Sequence, residues 1–178
     1  MFGVTKAGCT ACFISMFMAS PLAFADIPAK NVIQVNVPKP ALVKQIDLGD
    51  LPGRWTGIGD MAFRDGTKER MKCRIIYRFQ AVQNLLQKIW CRNSNIRLEV
   101  KAEIVNHKGK LSGNWDDRIY SMSGKLNGRL RGNQIQANLS GVFFTARLNI
   151  SIVGNRQTIR LIPNNGQLRF MNIRLARG

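Results

Sequence analysis

Polar and apolar residues alternate with a period of two along most of the chain after Leu51, the mark of strands with one buried face. From Glu69 to Phe79, the residues Met71, Cys73, Ile75, Tyr77 and Phe79 share one phase, while Arg70, Lys72, Arg74 and Arg78 share the other. Ile96, Leu98, Val100, Ala102 and Ile104 form a second apolar row, opposed by Arg97, Glu99, Lys101 and Glu103. Phe144, Ala146, Leu148, Ile150 and Ile152 form a third. Gln167 to Leu175 also alternates, but its phase slips near Phe170-Met171, which predicts a β-bulge. Asp65-Gly66, Lys108-Gly109, Gly132-Asn133, Gly154-Asn155 and Asn164-Asn165-Gly166 punctuate these runs as tight turns. Ala81 to Gln87 is the one stretch after Leu51 that reads as helical. The pattern predicts an all-β domain of about eight to ten short antiparallel strands, a barrel or a sandwich.

The N-terminal region breaks this rhythm. Lys6 precedes a mostly apolar stretch from Ala7 to Leu22, and Ala23-Phe24-Ala25 has the small-x-small form of a signal-peptidase site. Residues 1–25 are therefore expected to be a cleavable signal peptide, too short for a membrane anchor, and the protein is expected to be periplasmic. Residues 26–50 carry Pro28, Pro38 and Pro40 among Val, Asn and Lys and read as an extended arm. The barrel domain would then span 51–178. Cys9 and Cys12 leave with the signal peptide, so the mature chain keeps Cys73 and Cys91, an even pair expected to form one disulfide in an oxidising compartment.

Charge narrows the partners. Lysine and arginine number 27 against ten acidic residues, a net charge of +17, and only Lys6 of these lies in the signal peptide. Arg70, Lys72, Arg74 and Arg78 would form a ladder with side chains about 7 Å apart along one strand. Arg97 and Lys101, if on a neighbouring strand, would widen it to an anion-binding surface. An anionic envelope lipid or polymer, or a protein, is the expected partner, with peripheral membrane association and no transmembrane segment in the mature chain. Nucleic acid is not expected, because the aromatics that would stack on bases fall mostly in the inward phase.

Enzymatic chemistry finds little support. The chain has no G-x-S-x-G, phosphate loop or histidine-bearing metal cluster. Its single histidine, His107, sits in a turn beside Lys108. Asp116 and Asp117 are adjacent, so on a strand they point to opposite faces and cannot act together as a dyad. No catalytic residue, metal or cofactor is expected. An outer-membrane barrel of the same length would turn its apolar face to lipid and force the strand arginines into a narrow lumen. No aromatic girdles accompany the strands, and the chain ends in Arg177-Gly178.

Leu51-Pro52-Gly53-Arg54-Trp55 and Leu111-Ser112-Gly113-Asn114-Trp115 are two copies of L-x-G-x-W, and Gly124, Leu126, Gly128, Leu130 and Gly132 continue as G-x-L-x-G. Glycine permits close backbone approach at a barrel corner, and a neighbouring tryptophan plugs the barrel end. The Gly53-Arg54-Trp55 motif resembles the first strand of the calycins, the lipocalin and avidin group. That likeness implies an up-and-down antiparallel barrel with ligand contacts from Trp55, Trp90, Trp115 and Tyr77 around its mouth and cavity. The polar cluster by which avidins hold biotin has no counterpart here. The layout is also similar to exported alphaproteobacterial proteins of unknown function, and loosely to periplasmic metalloprotease inhibitors, barrels with one disulfide and an inhibitory N-terminal arm. The expected function is non-enzymatic binding or envelope maintenance, engaging an anionic envelope component or a small hydrophobic ligand. The alternative is a protease inhibitor or interaction module that uses the arm.

Overall fold

The alternation resolves into a ring of hairpins. The computed structural model describes residues 48–178; the expected signal peptide and all but the last three residues of the expected arm lie outside them. After a single 3-10 turn, Leu48–Asp50, ten strands follow: β1 Gly53–Phe63, β2 Lys68–Ala81, β3 Asn84–Arg92, β4 Arg97–His107, β5 Lys110–Asp117, β6 Met122–Arg131, β7 Gln134–Gly141, β8 Thr145–Val153, β9 Arg156–Pro163 and β10 Leu168–Arg177. Each pairs antiparallel with the next, and β1 pairs with β10 to close the barrel. Closure leaves no sheet edge to pair with other chains.

The three apolar rows read from the sequence all turn inward, except that Phe79 at the end of β2 is 43% exposed. The slip foreseen in the last strand is present. Ala62 lies opposite Phe170 and Phe63 opposite Leu168, so Arg169 is the extra residue on β10. Leu168 and Met171, three residues apart, consequently both reach the interior. The helix expected over Ala81 to Gln87 is replaced by a hairpin. Phe79 pairs with Leu85 and Ala81 with Asn84, which leaves Val82 and Gln83 as the turn. Two-residue closure lets Leu85 and Gln87 continue the inward phase of β3, where both are buried; burial on a strand outweighs the weak local helix propensity of this stretch.

One end of the barrel is sealed. Leu48, Leu51, Trp55, Tyr77, Leu111 and Leu175 are buried there, so the plug begins before residue 51. Trp55 is wholly buried and its Nε1–H donates to the Leu51 carbonyl at 2.9 Å. The Arg177 guanidinium lies over the indole, 4.6 Å from its centroid, and donates to the carbonyls of Pro52 and Asp50. These contacts tie the entering chain to the last strand.

The two L-x-G-x-W copies do not occupy equivalent places. Gly53 has a φ of 126°, which favours glycine, whereas a Cβ on Gly113 would sit 2.1 Å from the Glu103 carbonyl oxygen. Leu51 precedes its strand and Leu111 lies within one, so Trp115 stands deeper in the barrel than Trp55 does. Cys73 and Cys91 face each other across β2 and β3, are joined as a disulfide with Cα atoms 4.1 Å apart, and point into the barrel. A loop of this length contributes about 3 kcal/mol in the chain-entropy account. Gly59 leaves the space the sulfurs use, since a Cβ there would lie 2.9 Å from Cys73 Sγ.

Replacing Trp55 by alanine is expected to cost about 3–5 kcal/mol in urea unfolding. Trp90→Ala, on the outer face, is expected to cost less than about 1 kcal/mol. Equal losses would show that Trp55 is not the plug.

Candidate functional site

The other half of the barrel encloses a cavity of about 450 Å³, within the size range of small-molecule sites. Inward residues of several strands build it, among them Ile89 on β3, Leu98 and Val100 on β4, Leu139 on β7 and Leu148 on β8. It opens between the hairpin turns opposite the plug. Two neighbouring turns raise an apolar lip at this mouth. Val142 and Phe143, between β7 and β8, are 86% and 87% exposed, and Ile119 and Tyr120, between β5 and β6, are partly so. Asn165 braces the first of these by donating to the Phe143 carbonyl at 2.9 Å.

Of the four aromatics expected around the cavity, Trp115 lines it. Its ring meets Phe144 edge-on at 5.6 Å, and its buried Nε1–H has no hydrogen-bond partner among the described residues. Trp55 and Tyr77 belong to the sealed end. Trp90 faces outward beneath the Arg74 guanidinium, 4.9 Å from its centroid. Its neighbours Ile89 and Cys91 occupy the inward phase, so Trp90 cannot. The disulfide itself carried that information, because Cys91 has to face the same side as Cys73.

Few polar groups reach the interior. Asp117 turns in at the mouth and Asp116 turns out, as their adjacency requires. Asp117 Oδ1 accepts from the backbone N–H of Ile119 at 2.8 Å and of Tyr120 at 3.1 Å, shaping the lip. Below the cavity, the Tyr77 hydroxyl oxygen accepts from Gln87 Nε2 at 2.8 Å and Gln157 Nε2 at 2.9 Å. Burial pushes the Tyr77 hydroxyl well above the usual tyrosine range, opposed in part by those two amides. His107 is exposed at the end of β4, remote from the cavity mouth.

The expected cationic ladder is on the outer face, but its charges differ in availability. Arg70 Nε is held by Asp60 at 2.8 Å, Arg74 covers Trp90, and Lys101 Nζ lies 2.7 Å from Glu103. The Glu103 carboxylate raises the Lys101 pKa. Arg97 and Lys101 are not on a strand next to Lys72. β3 intervenes and inserts Arg92, so Lys72, Arg92 and Arg97 stand side by side as a row across β2, β3 and β4. Arg78 stands apart from that row, opposite Leu86.

No protein-family model matches the chain, and no curated protein matches it in sequence. Its fold is shared with solved structures. Rv2717c from M. tuberculosis superposes with a TM-score of 0.63 at 13% identity, over 74% of this chain and 94% of that one. A protein of unknown function of the DUF3598 family from Nostoc punctiforme superposes with a TM-score of 0.61 at 10% identity, over 76% of this chain. The match spans about half the length of the Nostoc protein. The described chain is thus a ten-stranded, calycin-like antiparallel β-barrel, a fold it shares with these two proteins.

Tyr77 supplies a pH prediction. Its folded pKa lies above the ordinary value of 10.0, so its contribution to stability is full below pH 10 and is lost as pH rises past it. The unfolded chain then releases a proton that the folded one keeps. Between pH 9 and 11, the unfolding free energy of the wild type is expected to fall more steeply than that of Tyr77→Phe, by up to about 1.4 kcal/mol per pH unit. Equal slopes in urea titrations would mean that the hydroxyl ionises freely in the folded protein.

Proposed function

We propose that this protein is a non-enzymatic periplasmic carrier for a small, largely apolar molecule bearing one hydrogen-bond acceptor. The observation that carries this reading is the apolar cavity of about 450 Å³ that opens at one end of an otherwise filled barrel. A surface carved that deeply into apolar side chains is favourable for an apolar guest, at roughly 25 cal/mol for each Å² removed from water. The unpartnered Trp115 Nε1–H supports an acceptor on that guest, since a buried donor is costly to leave unmade.

The exposed lip of Val142 and Phe143 gives an apolar molecule a path from a lipid or protein surface to the interior without crossing bulk water. The Cys73–Cys91 disulfide supports work in an oxidising compartment, in keeping with the signal-peptide pattern of residues 1–25. The row Lys72, Arg92 and Arg97 supports peripheral residence at an anionic envelope surface.

A dansyl-labelled undecanoic acid tests the reading by fluorescence titration. Wild-type protein is expected to bind it saturably, with a blue-shifted emission. Val100→Phe, which puts a ring into the space the guest would occupy, is expected to weaken binding about tenfold or more, the order by which a hydrophobic pocket discriminates on size. Phe143→Ser is expected to slow uptake with less effect at equilibrium. Undiminished affinity in a folded Val100→Phe variant would place the probe elsewhere.

A further inference from the structure

A second concave site lies on the outer wall of the barrel, across β5, β6, β7 and β8, with a volume of about 600 Å³. Lys110, Arg129, Arg131 and Arg147 line it, and no carboxylate does. None of these four cations forms an ion pair with a described residue, in contrast to Arg70, Lys101 and Arg174 elsewhere on the barrel. The pairing of the strands concentrates the charge. Lys110 stands directly opposite Arg129 on β6, and Arg131 follows two positions on, outward like Arg129. Like charges placed directly opposite destabilise a sheet. An arrangement of this kind is relieved by a bound anion.

The remaining polar lining specifies more than charge. Arg129 is followed across the sheet by Gln136 on β7 and Asn149 on β8, while Asn127 and Asn138 lead to Arg147 in the adjacent row. Side-chain amides offer donors and acceptors together, which matches hydroxyl groups. Guanidinium forks match carboxylate or sulfate oxygens. No aromatic side chain lines the groove, so it lacks the stacking platform that single-stranded nucleic acid uses.

We infer that this outer groove binds an acidic oligosaccharide strand, with Lys110, Arg129, Arg131 and Arg147 on its anionic groups and Gln136, Asn138 and Asn149 on its hydroxyls. The site is separate from the barrel cavity. It requires neither an apolar guest nor the mouth, so the carrier reading and this one can fail independently.

Fluorescence anisotropy with a labelled heparin octasaccharide tests the inference on the full mature chain. Oligothymidine of equal charge serves as the competing polyanion. The wild type is expected to bind the saccharide more tightly than oligothymidine at equal salt. The double variant Arg129→Gln/Arg147→Gln is expected to lose about tenfold or more in affinity and to show a flatter salt dependence, because fewer counterions are displaced. Lys68→Gln/Lys88→Gln removes the same charge from another wall, on β2 and β3, and is expected to leave saccharide binding within about threefold. Thermal unfolding of the groove variant without ligand is expected at or above the wild-type temperature, since like-charge contacts are relieved. Should that variant fold poorly, Lys110→Gln alone carries the same comparison. Equal losses in both double variants would reduce the effect to net charge, and tighter binding of oligothymidine would assign the groove to nucleic acid. Either result overturns the inference.

Discussion

Barrel width is the constraint from which the rest of this structure follows. An eight-stranded ring has an interior that side chains can just fill, and diameter grows with strand number. Ten strands therefore leave more space than the inward residues occupy along the whole axis. The chain fills one half with large groups such as Trp55 and Tyr77, and adds Leu48 and Leu51 from the segment ahead of β1. Aliphatic and small residues of the other half, such as Val100, Ala102 and Leu139, do not meet across the axis. Plug and cavity are two consequences of one geometry, and the Arg177–Trp55–Leu51 contacts mark the boundary from the sealed side.

The same ring divides the chemistry of the chain. Strand alternation sends the apolar rows inward and the arginines and lysines outward, which is the reverse of a lipid-facing barrel. The interior is left with Trp115, Asp117 and the Gln87–Tyr77–Gln157 network as its polar features. The outer wall holds an excess of cations that strand pairing sorts into neutralised and unneutralised groups. Asp60 holds both Arg70 and Arg174, whereas no carboxylate lines the groove on the β5–β8 wall. The two proposed sites thus rest on different forces, apolar burial inside and charge outside.

Much of this was legible in the residues, and the losses have physical causes. Period-two alternation and the glycine-bearing turns gave the strands, and the phase slip near Phe170 gave the bulge at Arg169. The disulfide followed from an even cysteine count. Ala81 to Gln87 was misread because the two-residue turn that closes β2 onto β3, Val82-Gln83, carries neither Gly nor Pro, unlike Gly132-Asn133 and Gly154-Asn155. Trp90 was misassigned although the parity of Cys91 fixed it outside. The outer groove stayed hidden because it depends on cross-strand partners such as Lys110 and Arg129, which register sets and local sequence does not. The exposed lip at Val142-Phe143 depends likewise on where the β7–β8 turn closes.

The central claim is that the unfilled half of the barrel holds a small apolar molecule. Native mass spectrometry of protein exported to a bacterial periplasm and purified without detergent tests it most directly. The account predicts a discrete added mass on the oxidised mature chain that disappears on denaturation and is extractable into organic solvent. A bare chain of oxidised mass, unchanged after incubation with a total lipid extract, would contradict it.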